Sequence, residues 1–574
     1  MTVLLRQTLA AIALPLLLGA CATVPLERNA KAGVEQSDTG LISAADPRAA
    51  AAGATILQRG GNATDAAIAV MLALTVVEPQ SSGIGGGGFL VRGTADGAVE
   101  TIDGRETAPA AAKPGWFLDR QGKPVPFMQA VKSGLSVGVP GNLRLAEEAH
   151  RRHGKLPWAE LFGPAIALAR NGYTISPRTH EYLTEAGDRA GADPDGRALF
   201  FDAAGKPLPV GTLVVNPQLA ATLESVAQNG ADAFYGGDNA RTIAHRAAGA
   251  IPHKRGMTEQ DIATYRAVPR AAVCGVYRAY RICGMGPPSS GATTVFATLK
   301  QLERFNLAAL GPRSPTAWHL IAESMRLAYA DRDLYLADGD FVSIPIRGLT
   351  DPNYLAARGK LISPTTAMPT THAGTPPGVT MALAKGSEPP EAGTSHFVVI
   401  DGEGTAISYT STIEGSFGSG MMVGGYYLNN ELTDFSFTPE ADGRPVANRV
   451  EGGKRPRSSM SPTVIYGPDG GLFMVVGAAG GATIPAQVAR AIIGAIDWKM
   501  SAKQALALPV LFAPGDIVFI EKGSMLETMA PQLRKLGHTV EPRDMPLKAN
   551  AALRRGKVWG GAADPRSEGV AIAP

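Results

Sequence analysis

The chain has 574 residues, 45% of them hydrophobic, and 54 Lys+Arg against 51 Asp+Glu for a formal net charge of +3. This supports a large core and, by simple division, allows more than one domain, while charges spread without a basic block argue against a nucleic-acid partner. Nine scattered histidines with no HExxH or CxxC spacing point to no metal site, and no cofactor is expected.

Taken in order, the chain opens with Arg6, an apolar run from Leu9 to Leu18, and Leu18-Gly19-Ala20-Cys21. The run is too short to span a bilayer, so residues 1–20 are predicted as a secretory signal cut before Cys21. Small residues ahead of a cysteine resemble a bacterial lipobox, and that resemblance implies lipid attachment at Cys21. With Ala22 next, it implies sorting to the outer membrane and a periplasmic location in a Gram-negative cell. An ordinary secretory signal with an incidental cysteine is the alternative. Residues 21–38 are polar and suit a tether.

From there to about residue 362 the pattern is helix-rich. Asn62 is a predicted N-cap with Asp65 in the first turn, and Ala66–Val77 reads as an amphipathic or buried helix. Gly83-Ile84-Gly85-Gly86-Gly87-Gly88 satisfies GxGxxG but follows a helix and leads into apolar Phe89-Leu90-Val91, the reverse of a dinucleotide site. Gly134-Leu135-Ser136-Val137-Gly138 satisfies GxSxG, yet it lacks a buried strand before it and meets Pro140-Gly141 after, which argues against a serine-hydrolase elbow. Trp158–Asn171 predicts a helix closed by Gly172, and Ala317–Leu336 a long amphipathic one. Cys274 and Cys283 flank a tight hairpin, where a disulfide and two buried thiols are both open. Ser363–Gly393, rich in Pro, Thr and Gly, is a predicted loop.

After it the pattern turns to strands. Phe397–Ile400 and Thr405–Thr412 bracket an Asp-Gly-Glu-Gly turn, and Thr463–Tyr466 and Leu472–Val476 bracket another Gly-rich one. Gly480 and Gly481 fall between a strand end and a helix opening near Pro485, where backbone N–H groups can face a developing oxyanion. The junction Gly393-Thr394-Ser395-His396 places a hydroxyl residue after glycine at the start of an apolar strand. Such a place suits self-cleavage, because a broken bond there frees the Thr394 α-amine to act as general base to its own Oγ.

The surrounding segments are Asp103-Gly104-Arg105-Glu106-Thr107-Ala108-Pro109, Pro287-Pro288-Ser289-Ser290-Gly291, Thr410-Ser411-Thr412-Ile413-Glu414-Gly415, Leu428-Asn429-Asn430-Glu431-Leu432-Thr433-Asp434 and Lys454-Arg455-Pro456-Arg457-Ser458-Ser459-Met460. With Gly480-Gly481 and Gly61-Asn62-Ala63-Thr64-Asp65, they resemble the γ-glutamyltranspeptidase family from about residue 40 to the C-terminus. The resemblance implies an α+β, four-layer αββα N-terminal nucleophile hydrolase sandwich. It further implies one precursor cleaved between Gly393 and Thr394 into a large subunit, 39–393 after the tether, and a small subunit, 394–574.

The resemblance also supplies roles. Thr394 is the expected nucleophile and Thr412 the hydroxyl that bonds to it, with Gly480 and Gly481 as the oxyanion site. Arg105, Ser458 and Ser459 are expected to hold the α-carboxylate of a γ-glutamyl group, and Glu414, Glu431 and Asp434 its ammonium. Glu414 and Glu431 depart from relatives that carry neutral amides. The loop from Phe435 to Gly453, a lid in some relatives, is shorter here. Partners are then γ-glutamyl amides such as glutathione, and water or an acceptor amino acid. The alternatives are a glutaryl-cephalosporin acylase of the same fold, which would have little use for Asp434, and a lipoprotein that only binds peptides.

Overall fold

The computed structural model describes residues 36–251, 256–386 and 393–574. The signal segment 1–20, Cys21 and most of the tether lie outside the described residues. The tether's far end differs from the reading of 21–38, since Gln36–Ser37 already pairs as a strand with Trp559–Gly560. Among the described residues no helix is long and apolar enough to cross a membrane.

Two seven-stranded antiparallel sheets form the centre. The first runs, in spatial order, Val570–Ile572, Leu41–Ala44, Ser395–Ile400, Ala406–Thr412, Gly87–Gly93, Val99–Gly104 and Val268–Arg270. The second runs Gln36–Ser37, Val558–Ala563, Lys548–Arg555, Leu472–Ala479, Thr463–Tyr466, Tyr280–Gly284 and Val273–Tyr277. They pack face to face. The Ser408 hydroxyl donates across the gap to the Val476 carbonyl at 3.2 Å, and the Asn550 amide donates to the His396 carbonyl at 2.8 Å.

Helices Pro47–Gln58 and Ala63–Val77 cover the outer face of the first sheet, and Gly291–Leu302 and Ile484–Ile496 that of the second. The four layers are therefore α, β, β, α, as the resemblance implied. This arrangement explains the unbroken apolar run at residues 397–400. Phe397 and Val399 belong to the core shared with helix Ala63–Val77, while Val398 and Ile400 belong to the core shared with the second sheet. A strand buried on both faces has no solvent side on which to place polar residues.

Both sheets mix strands from before and after Gly393. The segment up to residue 362 reads as helix-rich, yet it contributes Leu41–Ala44, Gly87–Gly93, Val99–Gly104 and Val268–Gly284 to the sandwich. Short strands of this kind are paired by partners far along the chain, which local patterning does not reveal. Other expectations hold closely. Asn62 and Asp65 form a reciprocal capping box on Ala63–Val77, every residue of which is buried. Trp158–Asn171 is two elements, a 3₁₀ turn Trp158–Phe162 and an α-helix Gly163–Asn171, because Pro164 carries no N–H to continue the first turn. Gly172 closes the helix at φ +92°. Cys274 and Cys283 stand opposite each other in their hairpin and are joined as a disulfide.

The two decoy motifs have structural uses. Ser136 is buried in a short 3₁₀ turn and its hydroxyl donates to the Val131 and Ser133 carbonyls, so it is no nucleophile elbow. The glycine run lets backbones approach. A β-carbon on Gly86 would stand 2.0 Å from the Thr412 carbonyl oxygen, whereas one on Gly83 meets nothing nearer than 3.5 Å. Gly86→Ala is therefore expected to destabilise the fold by about 1–3 kcal/mol and Gly83→Ala to be tolerated. Denaturant unfolding of both variants checks the difference, and equal stabilities would contradict the close approach.

Candidate active site

Thr394 leads into the central strand Ser395–Ile400 and is buried at 5% exposure, with Thr412 at the end of the neighbouring strand. Both hydroxyls converge on the Gly393 carbonyl. The Thr394 hydroxyl donates to the Gly393 oxygen, and the Thr412 hydroxyl donates to the same oxygen at 2.9 Å. The two hydroxyl oxygens are 3.4 Å apart. The Thr412 donor withdraws electron density from the carbonyl carbon, next to which the Thr394 oxygen lies.

The loop after Thr412 is held in an unusual conformation. Glu414 has φ +73°, a left-handed backbone that non-glycine residues adopt at a cost. Its N–H donates to the Thr412 hydroxyl at 2.8 Å, its carbonyl accepts from Gly393 N–H, and its carboxylate accepts from the Asn430 amide. The strained residue thus ties the Gly393–Thr394 segment to the acidic side of the cavity.

A small cavity opens beside Thr394. Arg105, Glu414, Glu431, Asp434, Ser458 and Gly481 line it together with Gly393, Thr394 and Thr412. Arg105 follows a strand end and is 1% exposed. Its guanidinium pairs with Glu431 and Asp434 and also donates to the carbonyls of Pro456 and Arg457, at 3.2 and 3.1 Å. The arginine and two of the acids expected to hold opposite ends of a zwitterion are therefore joined to one another. Any carboxylate entering the cavity would have to compete with Glu431 and Asp434 for that guanidinium. Burial pushes the Asp434 carboxyl well above its ordinary range, Arg105 opposes it, and Glu431 and Glu414 push the same way as burial.

The two serines diverge. Ser458 lines the cavity, whereas the Ser459 hydroxyl accepts a bond from Arg332 at 2.8 Å and is not among the lining residues. The glycines diverge too. Gly481 lines the cavity, while a β-carbon on Gly480 would strike the Pro546 carbonyl at 2.4 Å, so that position needs glycine for packing as well. The Phe435–Gly453 loop starts packed down, with Phe437 stacked on Phe117 at 4.1 Å, and Asn448 clamps Asp434 and Arg457.

Several supporting residues had no role assigned from the sequence. Asn429 bonds the Gly85 and Gly138 carbonyls and accepts from the Gly138 and Glu431 N–H groups, which fixes the short turn Glu431–Asp434 to the glycine-rich segment. Asn430 accepts from Gly415 N–H at 2.8 Å. The adjacent pair sits inside the motif around Glu431, and that position was the available signal. Glu106, next to Arg105, is fully buried, and burial raises its pKa to about 7 against the pull of Arg105.

That shift has a thermodynamic sign. The folded state favours protonated Glu106, so stability present below the ordinary carboxyl value of 4.5 is lost as pH rises toward about 7. Glu106→Gln stays neutral throughout. Its melting temperature relative to wild type is expected to rise between about pH 5 and about pH 8; a difference constant over that window would show that Glu106 does not titrate there.

Comparison with known proteins agrees with this arrangement. Residues 49–573 match the family model described as Gamma-glutamyltranspeptidase. The chain is 37% identical over 516 residues to the glutathione hydrolase proenzyme of Bacillus subtilis (strain 168), covering 88% of this chain and 86% of that one. It is 35% identical over 567 residues to the Acylase ACY 1 proenzyme of Pseudomonas sp. (strain SE83), covering 96% and 97%. Among solved structures, cephalosporin acylase from Bacillus halodurans superposes with a TM-score of 0.82 at 26% identity, over 96% of this chain and 98% of that one. With a matching model over most of its length, an N-terminal nucleophile hydrolase sandwich and paired threonines at a Gly-Thr junction, the chain belongs to the γ-glutamyltranspeptidase family of enzymes.

Proposed function

We propose that the chain is the precursor of a γ-glutamyltransferase and glutathione hydrolase that cuts itself between Gly393 and Thr394 and then uses Thr394 as its nucleophile. The observation that carries this reading is the cavity beside Thr394, where one buried arginine faces three carboxylates, those of Glu414, Glu431 and Asp434. A γ-glutamyl group ends in a carboxylate beside an ammonium, and it alone among the substrates considered needs both charges met. A glutaryl group has no ammonium. It would leave the acids around Arg105 repelling the substrate, although acylases stand among the relatives.

In self-cleavage the Thr394 oxygen attacks the Gly393 carbonyl carbon. The carbon–nitrogen bond breaks, the hydroxyl proton passes to the Thr394 nitrogen, and an ester joins Gly393 to Thr394 Oγ. Water hydrolyses that ester, leaving a Gly393 carboxylate and a free Thr394 α-amine. In turnover this amine accepts the Oγ proton as the oxygen attacks the γ-glutamyl carbonyl. The departing amine takes the proton, and water or an acceptor amino acid resolves the new ester. Thr412 orients Thr394, and the Gly480 and Gly481 N–H groups meet the developing oxyanion. Arg105 and Ser458 take the substrate carboxylate, and Asp434, Glu431 and Glu414 the ammonium. Ser459 supports this wall through Arg332. The mature protein is proposed to be exported and lipid-anchored at Cys21 in the periplasm.

Three measurements test the reading. Thr394→Ala is expected to remain one chain on a denaturing gel and to release no p-nitroaniline from γ-glutamyl-p-nitroanilide; efficient cleavage in that variant would contradict the mechanism. Arg105→Ala is expected to lower kcat/KM about ten- to a few-hundred-fold, since charge-assisted hydrogen bonds contribute roughly 1.5–3 kcal/mol each. On matched γ-glutamyl and glutaryl anilides the wild type should prefer the first and Asp434→Asn should narrow that preference, whereas a wild-type preference for glutaryl would assign the acylase reaction instead. For the anchor, Cys21→Ser should leave the membrane fraction with its activity intact.

A further inference from the structure

A second buried charge cluster lies beneath the nucleophile and is not used by the reaction above. Ser395, the residue after Thr394, is fully buried, and its hydroxyl donates to the Glu78 carboxylate. Glu78 caps the end of helix Ala63–Val77 at 3% exposure. The Lys548 ammonium, 1% exposed on a strand of the other sheet, donates to both Glu78 oxygens at 3.1 and 3.0 Å. The same ammonium lies 3.4 Å from the hydroxyls of Ser81 and Ser395. Burial disfavours the Glu78 charge, but Lys548 and the Ser395 hydroxyl outweigh it and hold the carboxyl below its ordinary value. On the other side of the pair burial lowers the Lys548 pKa and Glu78 opposes it, so each charge offsets the other's cost of burial.

The turn that follows Glu78 also grips the other half of the site. Ile413 N–H donates to the Ser81 carbonyl at 3.4 Å, and Phe417 N–H to the Gln80 carbonyl at 3.2 Å. One short segment from before the cut therefore holds both the start of the nucleophile strand and the loop that carries Glu414.

Thr394 needs such support only after cleavage. Pairing of its strand with Leu41–Ala44 begins at Phe397, and pairing with Ala406–Thr412 begins at Ser395 opposite Ser411. Thr394 itself lies outside both ladders. Before the cut, the peptide bond to Gly393 anchors it, and Gly393 is bonded in turn to Glu414 and Thr412. After the cut Thr394 is a free chain end, and chain ends fray unless tied down.

We propose that Ser395 is a positioning residue whose bond to the Glu78–Lys548 pair holds Thr394 in attacking geometry once the bond to Gly393 has been broken. The proposal rests on the reading of Thr394 as nucleophile. Its distinctive consequence is one of timing: the Ser395 hydroxyl matters more for turnover than for self-cleavage.

The test is Ser395→Ala, which leaves the Glu78–Lys548 pair whole and strands no buried charge. The variant is expected to form two chains, with the smaller beginning at Thr394. Its kcat on γ-glutamyl-p-nitroanilide, per active site counted from the acyl-enzyme burst, should fall about ten- to a hundredfold, the scale of an ångström's misplacement. KM should stay near wild type because Arg105 and Asp434 are untouched, and Ser395→Thr should restore most of kcat. Should Ser395→Ala not accumulate folded, Ser395→Cys, a weak donor of similar size, is read the same way. A wild-type kcat per site in processed Ser395→Ala would overturn the proposal, as would a raised KM with kcat unchanged. If Thr394→Ala is inactive while processed Ser395→Ala is fully active, this inference alone fails; wild-type protein without turnover fails the functional reading and this inference with it.

Discussion

Everything at this site hangs on the antiparallel pairing of residues 397–400 with Leu41–Ala44, a ladder that joins chain from opposite sides of the Gly393–Thr394 bond. Because the strand after the cut is central in its sheet and buried on both faces, breaking one peptide bond at its start removes no core contact. The hydrophobic burial that holds the sandwich together is indifferent to chain continuity at Gly393. A covalent break that would open an edge elsewhere would here only free an amine.

The same architecture sets a demand on polar groups. Most buried charges near the cavity are paired, Glu78 with Lys548, Arg105 with Glu431 and Asp434, and Arg270 and Arg455 with Asp103, whereas neither carboxyl oxygen of buried Glu106 has a hydrogen-bond partner. The Arg105 cluster differs from the others in its excess of acid. Burial raises the Asp434 carboxyl, Arg105 opposes that rise, and Glu431 and Glu414 add to it. A ligand entering a pocket whose charges are already drawn together would exchange internal ion pairs for external ones. Affinity would then depend on how closely the ligand reproduces both charges.

Strain is placed where the chemistry is. Glu414 sits in the left-handed region at φ +73°, with its N–H on Thr412 and its carbonyl on Gly393. Gly85 and Gly86 pass so close to the Tyr427 and Thr412 carbonyls that no side chain fits. Together they bring the Thr412 hydroxyl to bear on the Gly393 carbonyl, which regular strand geometry alone would not do.

The sequence alone determined the elements with strong local grammar: the Asn62–Asp65 cap, the strand hairpins after Thr394, the Gly172 stop, and the Gly-Thr junction before an apolar run. It exposed both decoy motifs too, because a phosphate loop and a nucleophile elbow each require a defined order of strand and helix. Hydrogen bonding over three or four residues and side-chain alternation over two are short-range effects, and one segment displays them. Tertiary structure alone decided that Leu41–Ala44 and Val268–Gly284 belong to the sandwich, that Cys274 and Cys283 are bonded, that Ser459 serves Arg332 while Ser458 faces the cavity, and that Ser395 rests on Glu78 and Lys548. Each of these depends on which distant strand arrives at which register. A one-residue change in register would turn every side chain to the other face, and no local pattern fixes that choice.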